Sequence, residues 1–479
     1  MSVSLKDKTI KGLGWSAVDK VAKFSVTFVI GIILARLLSP DDFGLLGLTT
    51  IFTTICNALI NGGFVPSLIR KIDATEDDYN TVFIINMMMS VILIVAIFFV
   101  SPYLASFFNR DELTNLIRVL SLGLFLGPIS VIPSVQLNKR IEFKIIAKIS
   151  IVSVSLSGLI GIGAALYGWG VWSLVVQTLS HKVIEAVLTL GVNRWIPQFK
   201  FSSESFKELF GFGWKLMLSN IIDSIWAELN HVVVGKFYSP ATLGQYTRSK
   251  QFSYIFSDNL TAVIQRVTYP VLSSIQDDKQ RLLNAYRGII KTTMFFSVIG
   301  MFLMGAMAEP LLNCLIGSKW SEAAAYLPLI CISGSIYPLQ AINLNLLQVQ
   351  GRSDLFLGLE IVKKTIAVAP LLIGAFVGIF PMLYTNLVVC VITFFLNSHY
   401  SGILIDYSSI QQIKDVAPSY GIASLISIPI YCVKFLFVSC WIALAVQIIM
   451  AVIIFFLVCI ILKPEEYKEI IAMHKSFLS

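Results

Sequence analysis

The sequence has little charge and few of the residues that enzymes use for chemistry. Charged residues make up 13% of its 479 positions, and only four residues are histidine. It contains no Walker A loop, no HExxH zinc motif and no glycine-rich dinucleotide loop. The seven cysteines lie singly in apolar runs, without the spacing of metal ligands or of a disulfide framework. We therefore expect no catalytic residues, no metal, no cofactor and no enzymatic activity.

Apolar residues are what the chain has in excess. Hydrophobic residues make up 56% of the sequence, and the mean hydropathy is +0.80. Runs of about 20 apolar residues, long enough to cross a hydrocarbon core of roughly 30 Å, recur along almost the whole chain. This pattern predicts an all-α integral membrane protein with about 14 transmembrane helices, at residues 13–38, 43–64, 81–103, 114–136, 145–167, 171–192, 209–237, 242–266, 288–308, 324–347, 362–379, 381–399, 416–433 and 438–462.

Lysine and arginine are distributed unevenly between alternate connections. With a cytoplasmic N-terminus, 23 of them fall on the inside, a count that includes Lys182, against five on the outside. Because cytoplasmic connections carry the excess of positive charge, the asymmetry predicts that both termini are cytoplasmic. It also accounts for most of the net charge of +8, so no nucleic-acid partner is expected.

Two motifs recur at nearly the same offset. Gly12-Leu13-Gly14-Trp15 returns as Gly211-Phe212-Gly213-Trp214, and Ser39-Pro40-Asp41-Asp42-Phe43-Gly44 returns as Ser239-Pro240-Ala241-Thr242-Leu243-Gly244. The offsets are 211 − 12 = 199 and 239 − 39 = 200, which indicates an internal repeat. We expect two parallel six-helix repeats and two C-terminal helices: an N-lobe at 1–200 (spans 1–6), a C-lobe at 201–400 (spans 7–12), and spans 13–14 with a cytoplasmic tail at 401–479.

Ionisable residues inside the predicted spans are the candidates for a functional site. Each costs about 3 kcal/mol or more at mid-bilayer unless it is paired or faces water. Lysines and arginines outnumber acids there by eight to five, which favours an anionic ligand such as phosphate. The predicted substrate-binding residues are Lys20, Lys23, Lys215, Arg248, Lys250 and Arg266, and the predicted coupling or gating residues are Asp223, Asp258 and Glu228.

Alternatives stay open for several of these residues. Lys215 and Arg266 near cytoplasmic ends, and Arg248 near an outer end, are also placed to extend their charges to the membrane interface. Lys23 and Asp223 occupy equivalent positions, since 23 + 200 = 223, and their opposite charges predict an ion pair between the repeats. Asp19, one helical turn before Lys23, is the alternative partner on the same helix.

Several motifs, in order along nearly the whole chain, resemble those of a known family. The sequence is similar to the polysaccharide transporter branch of the multidrug/oligosaccharidyl-lipid/polysaccharide exporter superfamily, and within it to WzxC-type exporters of lipopolysaccharide and exopolysaccharide. The motifs are Lys11-Gly12-Leu13-Gly14-Trp15, Ala35-Arg36-Leu37-Leu38-Ser39-Pro40-Asp41-Asp42-Phe43-Gly44, Gly62-Gly63-Phe64 before Ile69-Arg70-Lys71, Arg266-Val267-Thr268-Tyr269-Pro270 before Ile275-Gln276-Asp277-Asp278, and Gly317-Ser318-Lys319-Trp320.

The resemblance implies a flippase of the bacterial cytoplasmic (inner) membrane. It would move an undecaprenyl-pyrophosphate-linked oligosaccharide to the periplasmic leaflet, by alternating access of two lobes, for O-antigen, capsule or exopolysaccharide biosynthesis. The partners it implies are this polyprenyl-linked oligosaccharide and the lipid bilayer, with a polysaccharide polymerase and other assembly proteins beside them. A proton or sodium ion is the coupling cation that Asp223 or Asp258 would take. The alternatives are a peptidoglycan lipid flippase and a drug/cation antiporter of the same superfamily.

Overall fold

The computed structural model describes residues 5–437, 439–462 and 464 of the chain. Every regular element in these ranges is helical, so the prediction of an all-α fold is confirmed. The elements are α1 (Leu5–Leu37), α2 (Pro40–Asn61), α3 (Phe64–Arg70), α4 (Glu76–Phe108), α5 (Glu112–Ser121), α6 (Gly123–Lys139), α7 (Phe143–Leu166), α8 (Val171–Asn193), α9 (Ser203–Phe237), α10 (Pro240–Ser273), α11 (Lys279–Ala306), α12 (Ala308–Leu315), a 3₁₀ turn (Ser318–Trp320), α13 (Ser321–Val349), α14 (Ser353–Ile366), α15 (Val368–Phe376), α16 (Ile379–Ile405), α17 (Ser409–Val433) and α18 (Cys440–Leu462).

Ten helical segments in the described ranges are long and apolar enough to cross a membrane. Some predicted spans are continuous helices, while α2 with α3 and α5 with α6 form spans interrupted by a short break. Helices α1, α9 and α10 and the consecutive pair α14–α15 are not among the ten. Together with these four segments the total would be 10 + 4 = 14, and the count of fourteen stays a prediction.

Capping residues explain where the repeated motif starts a helix. Ser39 precedes α2, and its hydroxyl accepts a hydrogen bond from the Asp42 amide at 3.2 Å, while the Asp42 carboxylate accepts one from the Ser39 amide at 2.8 Å. Pro40 fits the first helical position because its missing N–H has no partner to lose there. The second copy keeps one of these two hydrogen bonds, because the Ser239 hydroxyl accepts from the Thr242 amide at 3.1 Å.

The described residues divide into two compact units, the first ending at Gly244 and the second beginning at Gln245. In the first unit α1 packs on α7, α7 on α8, and α9 on α2, α3 and α4. In the second unit α11 packs on α13 and α17, and α13 packs on α16. Helix α9 is therefore part of the first unit by its contacts, whereas the predicted lobes, with a boundary near residue 200, stay a prediction about the repeat.

The two copies of the Ser-Pro motif contact each other in the first unit. A Cβ atom added to Gly44 would lie 1.7 Å from the Pro240 carbonyl oxygen, and one added to Gly244 would lie 2.0 Å from that of Pro40. Each glycine lets the backbone of the other copy approach, because it has no side chain. This reciprocal contact is the arrangement expected of two equivalent segments that face each other across a two-fold axis.

A buried polar network connects the helices of the second unit. The Tyr286 hydroxyl donates to Asn343 Oδ1 at 3.0 Å, and Asn343 Nδ2 donates to Gln412 Oε1 at 3.1 Å. Arg287 of α11 forms a two-pronged ion pair with Asp415 of α17, with N–O distances of 2.8 and 3.0 Å. These contacts fix α17 to α11 and α13, so α17 is an integral part of the second unit.

Reporter fusions test the predicted alternation of the connections. The charge pattern predicts periplasmic reporters after Gly168 and Lys319 and cytoplasmic reporters after Asp73 and Lys200, because alternate connections face opposite sides. Alkaline phosphatase and fluorescent-protein activities of the fusions measure this. A cytoplasmic result at Lys319 would contradict two repeats that enter the membrane in the same direction.

Gly44→Ala should destabilise the first unit. The added methyl group would fall 1.7 Å from a backbone oxygen, and such overpacking costs about 1–3 kcal/mol. Gly163→Ala is the matched control, since Gly163 is also helical but has no described atom within 4 Å of the added carbon. We expect a lower midpoint of thermal unfolding in detergent for the first variant only. Equal midpoints would argue against the close contact.

Candidate functional site

A cluster of charged groups connects three helical segments at one end of the first unit. Lys71, directly after α3, lies 3.0 Å from Asp78 of α4 and 2.8 Å from Glu208 of α9. The Asp78 side chain is fully buried and also caps α4 together with Thr75. Its burial is tolerated because it is both paired and hydrogen-bonded. The hydrogen bond with Glu208 raises the pKa of the Lys71 ammonium above its usual value.

The Gly62-Gly63-Phe64 motif lies beside this cluster and serves close packing. Gly63 and Gly213 lie where α9 crosses the start of α3, and a Cβ atom on Gly63 would lie 2.5 Å from the Gly213 carbonyl oxygen. The Lys139 ammonium donates to the carbonyl oxygens of Leu68 and Ile72, each at 3.4 Å. The charged end of the first unit is therefore a tightly packed junction of α3, α4, α6 and α9.

The predicted substrate-binding residues of α1 are accessible. The side chains of Lys20 and Lys23 are exposed. Asp19 is half-buried, and its Oδ1 atom has no hydrogen-bond partner in the described part of the chain. The predicted ion pair of Lys23 with Asp223, and the alternative with Asp19, stay predictions. Because they are exposed, Lys20 and Lys23 are available to a ligand.

The predicted residues of α9 differ in exposure and in their contacts. Lys215 is exposed, with its ammonium 5.9 Å from the centre of the Trp214 ring, and Asp223 is exposed as well. Glu228 is half-buried and lies 2.7 Å from His231 Nδ1, a partner that the sequence analysis did not include. The three predicted residues therefore have different surroundings, with Lys215 and Asp223 exposed and Glu228 half-buried.

In the second unit, the start of α10 supports the Gly317-Ser318-Lys319-Trp320 motif. Gln245 donates to the Lys319 carbonyl oxygen at 2.7 Å and accepts from the Ala323 amide at 3.0 Å. Arg248 is only 7% exposed, donates to Gln251 at 2.6 Å, and lies 5.8 Å from the centre of the Trp320 ring. These contacts give Arg248 a packing role here, and its predicted substrate contact stays a prediction.

The remaining predicted residues also lie on α10. Lys250 is half-buried, with its ammonium 5.1 Å from the centre of the Tyr254 ring, as in a cation–π contact. The side chains of Asp258 and Arg266 lie outside the described residues. Their predicted roles in coupling and in substrate binding remain predictions.

A cavity of about 390 Å³ lies in the first unit between α2, α3, α6 and α8. Part of its wall is aliphatic. The polar residues that line it are Asn57, Ser130, Ser134, Asn138, Lys182 and Glu185. None of these residues was included in the predicted substrate-binding or coupling site. The spacing of Ser130, Ser134 and Asn138, one per helical turn on α6, is the pattern that would have indicated a polar face.

The assignment of Lys182 to a cytoplasmic connection is wrong. Lys182 lies at the centre of α8 (Val171–Asn193), and its ammonium donates to the Gly123 carbonyl oxygen at 3.3 Å. Gly123 makes space for it, since a Cβ atom there would lie 3.1 Å from the Lys182 Cδ atom. The charge asymmetry persists without this residue, at 23 − 1 = 22 against five.

The chemistry available to the described side chains is the binding of polar ligands. Amines, amides, hydroxyls and carboxylates lie on helices of membrane-spanning length and can form ion pairs and hydrogen bonds. Within the part of the chain that the structure describes, no group of three or more His, Cys, Asp or Glu residues could hold a metal ion.

The fold is that of a multi-span membrane transporter. It matches the lipid II flippase MurJ in an inward closed conformation with a TM-score of 0.72, over 95% of this chain and 100% of that one, at 13% identity. It also matches an inward-facing multidrug resistance transporter of the MATE family with a TM-score of 0.60, over 81% and 96% of the two chains, at 19% identity. These likenesses show the fold.

Sequence comparison assigns the chain to a family. Residues 33–325, more than half of the chain, match the family described as polysaccharide biosynthesis protein, and the chain belongs to this family. The succinoglycan biosynthesis transport protein ExoT of Rhizobium meliloti is 26% identical over 70% of this chain and 68% of its own. The lipopolysaccharide biosynthesis protein WzxC of Escherichia coli is 25% identical over 78% and 76%. The resemblance drawn from the motifs is confirmed.

Removing the ammonium group of Lys71 should lower the free energy of unfolding more than removing the exposed carboxylate of Glu208. Lys71→Met leaves the buried Asp78 carboxylate without a counterion, and because Thr75 still bonds it we expect a loss of about 1–3 kcal/mol. Glu208→Gln removes a partner that is 57% exposed and should cost less than about 1 kcal/mol. Unfolding in detergent at pH 7 measures both variants. Equal losses would contradict this ranking.

The pH dependence of the same cluster has a definite sign. A lysine whose pKa is raised on folding stabilises the folded state fully below its unfolded pKa of about 10.4. The contribution is lost as the pH rises from there through the folded-state pKa. The difference in stability between the wild type and Glu208→Gln should therefore be constant from pH 7 to pH 9 and shrink only above that range.

Proposed function

We propose that the chain is a flippase that moves a polyprenyl-pyrophosphate-linked oligosaccharide across the bacterial inner membrane, for the assembly of a surface polysaccharide. The match of residues 33–325 to the polysaccharide biosynthesis family carries this proposal. The fold shared with a lipid II flippase over 95% of the chain supports it. The names of the relatives, which refer to succinoglycan transport and lipopolysaccharide biosynthesis, agree with it.

The mechanism follows from the amphipathic nature of such a substrate. Sugars and pyrophosphate cannot enter hydrocarbon without losing their hydrogen bonds to water, so they need a polar path through the protein. The exposed cations Lys20 and Lys23 of α1 and Lys215 of α9 supply binding groups for the pyrophosphate. The polyprenyl chain stays in the lipid. Binding has to be moderate, because a site that holds pyrophosphate too tightly would not release it.

Orientation and energy coupling complete the proposal. The 22 to five asymmetry of lysine and arginine supports cytoplasmic termini. Asp223, Asp258 and Glu228 are the proposed sites for a coupling proton or sodium ion, since a carboxylate that changes its exposure can take up a cation on one side and release it on the other. A polysaccharide polymerase and other assembly proteins are the proposed partners that receive the exported unit.

A peptidoglycan lipid flippase is the second candidate, and the TM-score of 0.72 to a lipid II flippase favours it. A deletion strain separates the two. Loss of surface polysaccharide with lipid-linked repeat units retained on the cytoplasmic face supports the first proposal. Cell lysis with arrested peptidoglycan synthesis supports the second. The drug/cation antiporter is disfavoured because cations exceed acids in the predicted spans.

The double variant Lys23→Gln with Lys215→Gln should abolish export and leave membrane insertion normal. It removes two positive charges that have no ion-pair partner in the described residues, so the fold should not need them. Complementation of the deletion strain measures export, and immunoblotting of membranes measures insertion.

Lys200→Gln is the matched control for this experiment. Lys200 is also exposed, but it lies in the connection between α8 and α9. We expect full complementation by the control. Full complementation by the double variant would mean that Lys23 and Lys215 only extend to the membrane interface.

A further inference from the structure

The cavity between α2, α3, α6 and α8 is lined by one ammonium group, one carboxylate and four uncharged polar side chains. We infer that it binds a sugar residue of the head group, as a subsite separate from the lysines of α1 and α9. This inference rests on the proposed function, and it names the part of the substrate that the first unit recognises. Its volume of about 390 Å³ lies at the small end of the range of about 300–1,000 Å³ for small-molecule sites. That space suits a sugar ring, and it is too small for a whole lipid-linked oligosaccharide.

The α6 wall of the cavity presents acceptors. The Ser130 hydroxyl donates to the Gly127 carbonyl oxygen at 3.0 Å, and the Ser134 hydroxyl donates to the Ser130 carbonyl oxygen at 2.7 Å. Each hydroxyl has used its only hydrogen, so its oxygen lone pairs are what it can offer to a ligand. Asn138 continues the same face one turn further on. Sugar hydroxyl groups are donors that such a row of oxygens can bind.

The α8 and α2 walls add both donors and acceptors. Lys182 has three N–H groups, and only the bond to the Gly123 carbonyl oxygen, at 3.3 Å, is formed with a described residue. The Glu185 carboxylate lies 4.0 Å from His181 Nε2, beyond hydrogen-bond distance. The Asn57 amide nitrogen donates to the Thr53 carbonyl oxygen at 2.7 Å, which leaves its side-chain oxygen as an acceptor.

The charges in the cavity decide which class of ligand fits. A phosphate group would be attracted by Lys182 but repelled by Glu185. A metal ion would be attracted by Glu185 but repelled by Lys182. A polyhydroxylated, uncharged group gains from both, since each hydroxyl can donate to a carboxylate and accept from an ammonium group. The lining therefore favours a sugar over the pyrophosphate that the lysines of α1 and α9 are proposed to bind.

The position of Lys182 and Glu185 within a membrane-spanning helix argues against a purely structural role for their charges. Lys182 is at the centre of a helix of membrane-spanning length, where an unpaired charge costs several times the thermal energy. No ion pair joins Lys182 and Glu185 in the described residues, so the two charges do not neutralise each other through direct contact. Water that fills the cavity between transport cycles would solvate both groups and could be displaced by sugar hydroxyls.

Binding to the purified protein in nanodiscs tests this inference with two kinds of probe. One is undecaprenyl pyrophosphate, and the other is the same lipid carrying a single glucose, galactose or N-acetylglucosamine residue. We expect the wild type to bind at least one sugar-bearing probe about tenfold more tightly, the effect of one or two net hydrogen bonds. Ser134→Leu, which fills the cavity, should abolish this preference without weakening the binding of the sugar-free lipid.

Glu185→Gln is the second variant, because it keeps the size of the side chain and does not depend on the tolerance of α6 for leucine. It should reduce the preference as well. Val187→Leu is the matched control, since Val187 lies on the same helix, is 62% exposed, and does not line the cavity. Its preference should equal that of the wild type. Unfolding midpoints of all variants establish that each is folded.

Three outcomes would overturn the inference in distinguishable ways. If the wild type prefers a sugar-bearing probe and folded Ser134→Leu and Glu185→Gln keep that preference, the sugar binds elsewhere. If the wild type binds all probes equally, no sugar subsite exists, while the proposed flippase function stands. If the wild type binds none of the polyprenyl probes, the proposed function fails, and this inference fails with it.

Discussion

The hydrocarbon core of the membrane gives a buried polar group no water, so each such group needs a protein partner, an exposed position or a wet cavity. This constraint explains why every regular element in the described ranges is a helix. Pairing is one solution, as in the chain from Tyr286 through Asn343 to Gln412 in the second unit. In the first unit Lys182 and Glu185 are not paired with each other, and they line a cavity. That contrast separates polar groups that hold the fold from polar groups that can bind a ligand.

Local sequence was enough to predict the helical fold, because the determinants of a helix lie within a few residues. Ser39 and Ser239 illustrate this, since each caps the helix that follows and each was noted through a repeated motif. Side-chain partners could not be predicted in the same way. The pairing of Lys71 with Glu208 spans 137 positions, and Arg248 lies 5.8 Å from the centre of the Trp320 ring, which is also distant in sequence. The placement of Lys182 was wrong because its partner, the Gly123 carbonyl oxygen, is 59 positions away and is not visible in the local sequence.

The motifs that carry the family resemblance are explained largely by packing. Gly44 and Gly244 permit the contact of the two Ser-Pro segments, and Gly63 with Gly213 permits the crossing of α3 and α9. A side chain cannot be added to a glycine at such a crossing unless the backbone moves. By contrast, residues that contact a ligand can change when the ligand changes. Such motifs therefore identify the architecture of the family well. They carry little information about which sugar a member transports.

Substrate choice has to come from side chains outside those motifs, and two groups of them have different chemistry. Lys20, Lys23 and Lys215 are exposed cations suited to a pyrophosphate, which every polyprenyl-linked oligosaccharide of this type has in common. The cavity around Ser134 and Glu185 has mixed polarity and suits hydroxyl groups, which differ from one sugar to another. The proposed division of recognition would keep each contact weak enough to be released. It would also allow a change of sugar specificity at α6 and α8 without any change in how the pyrophosphate is held.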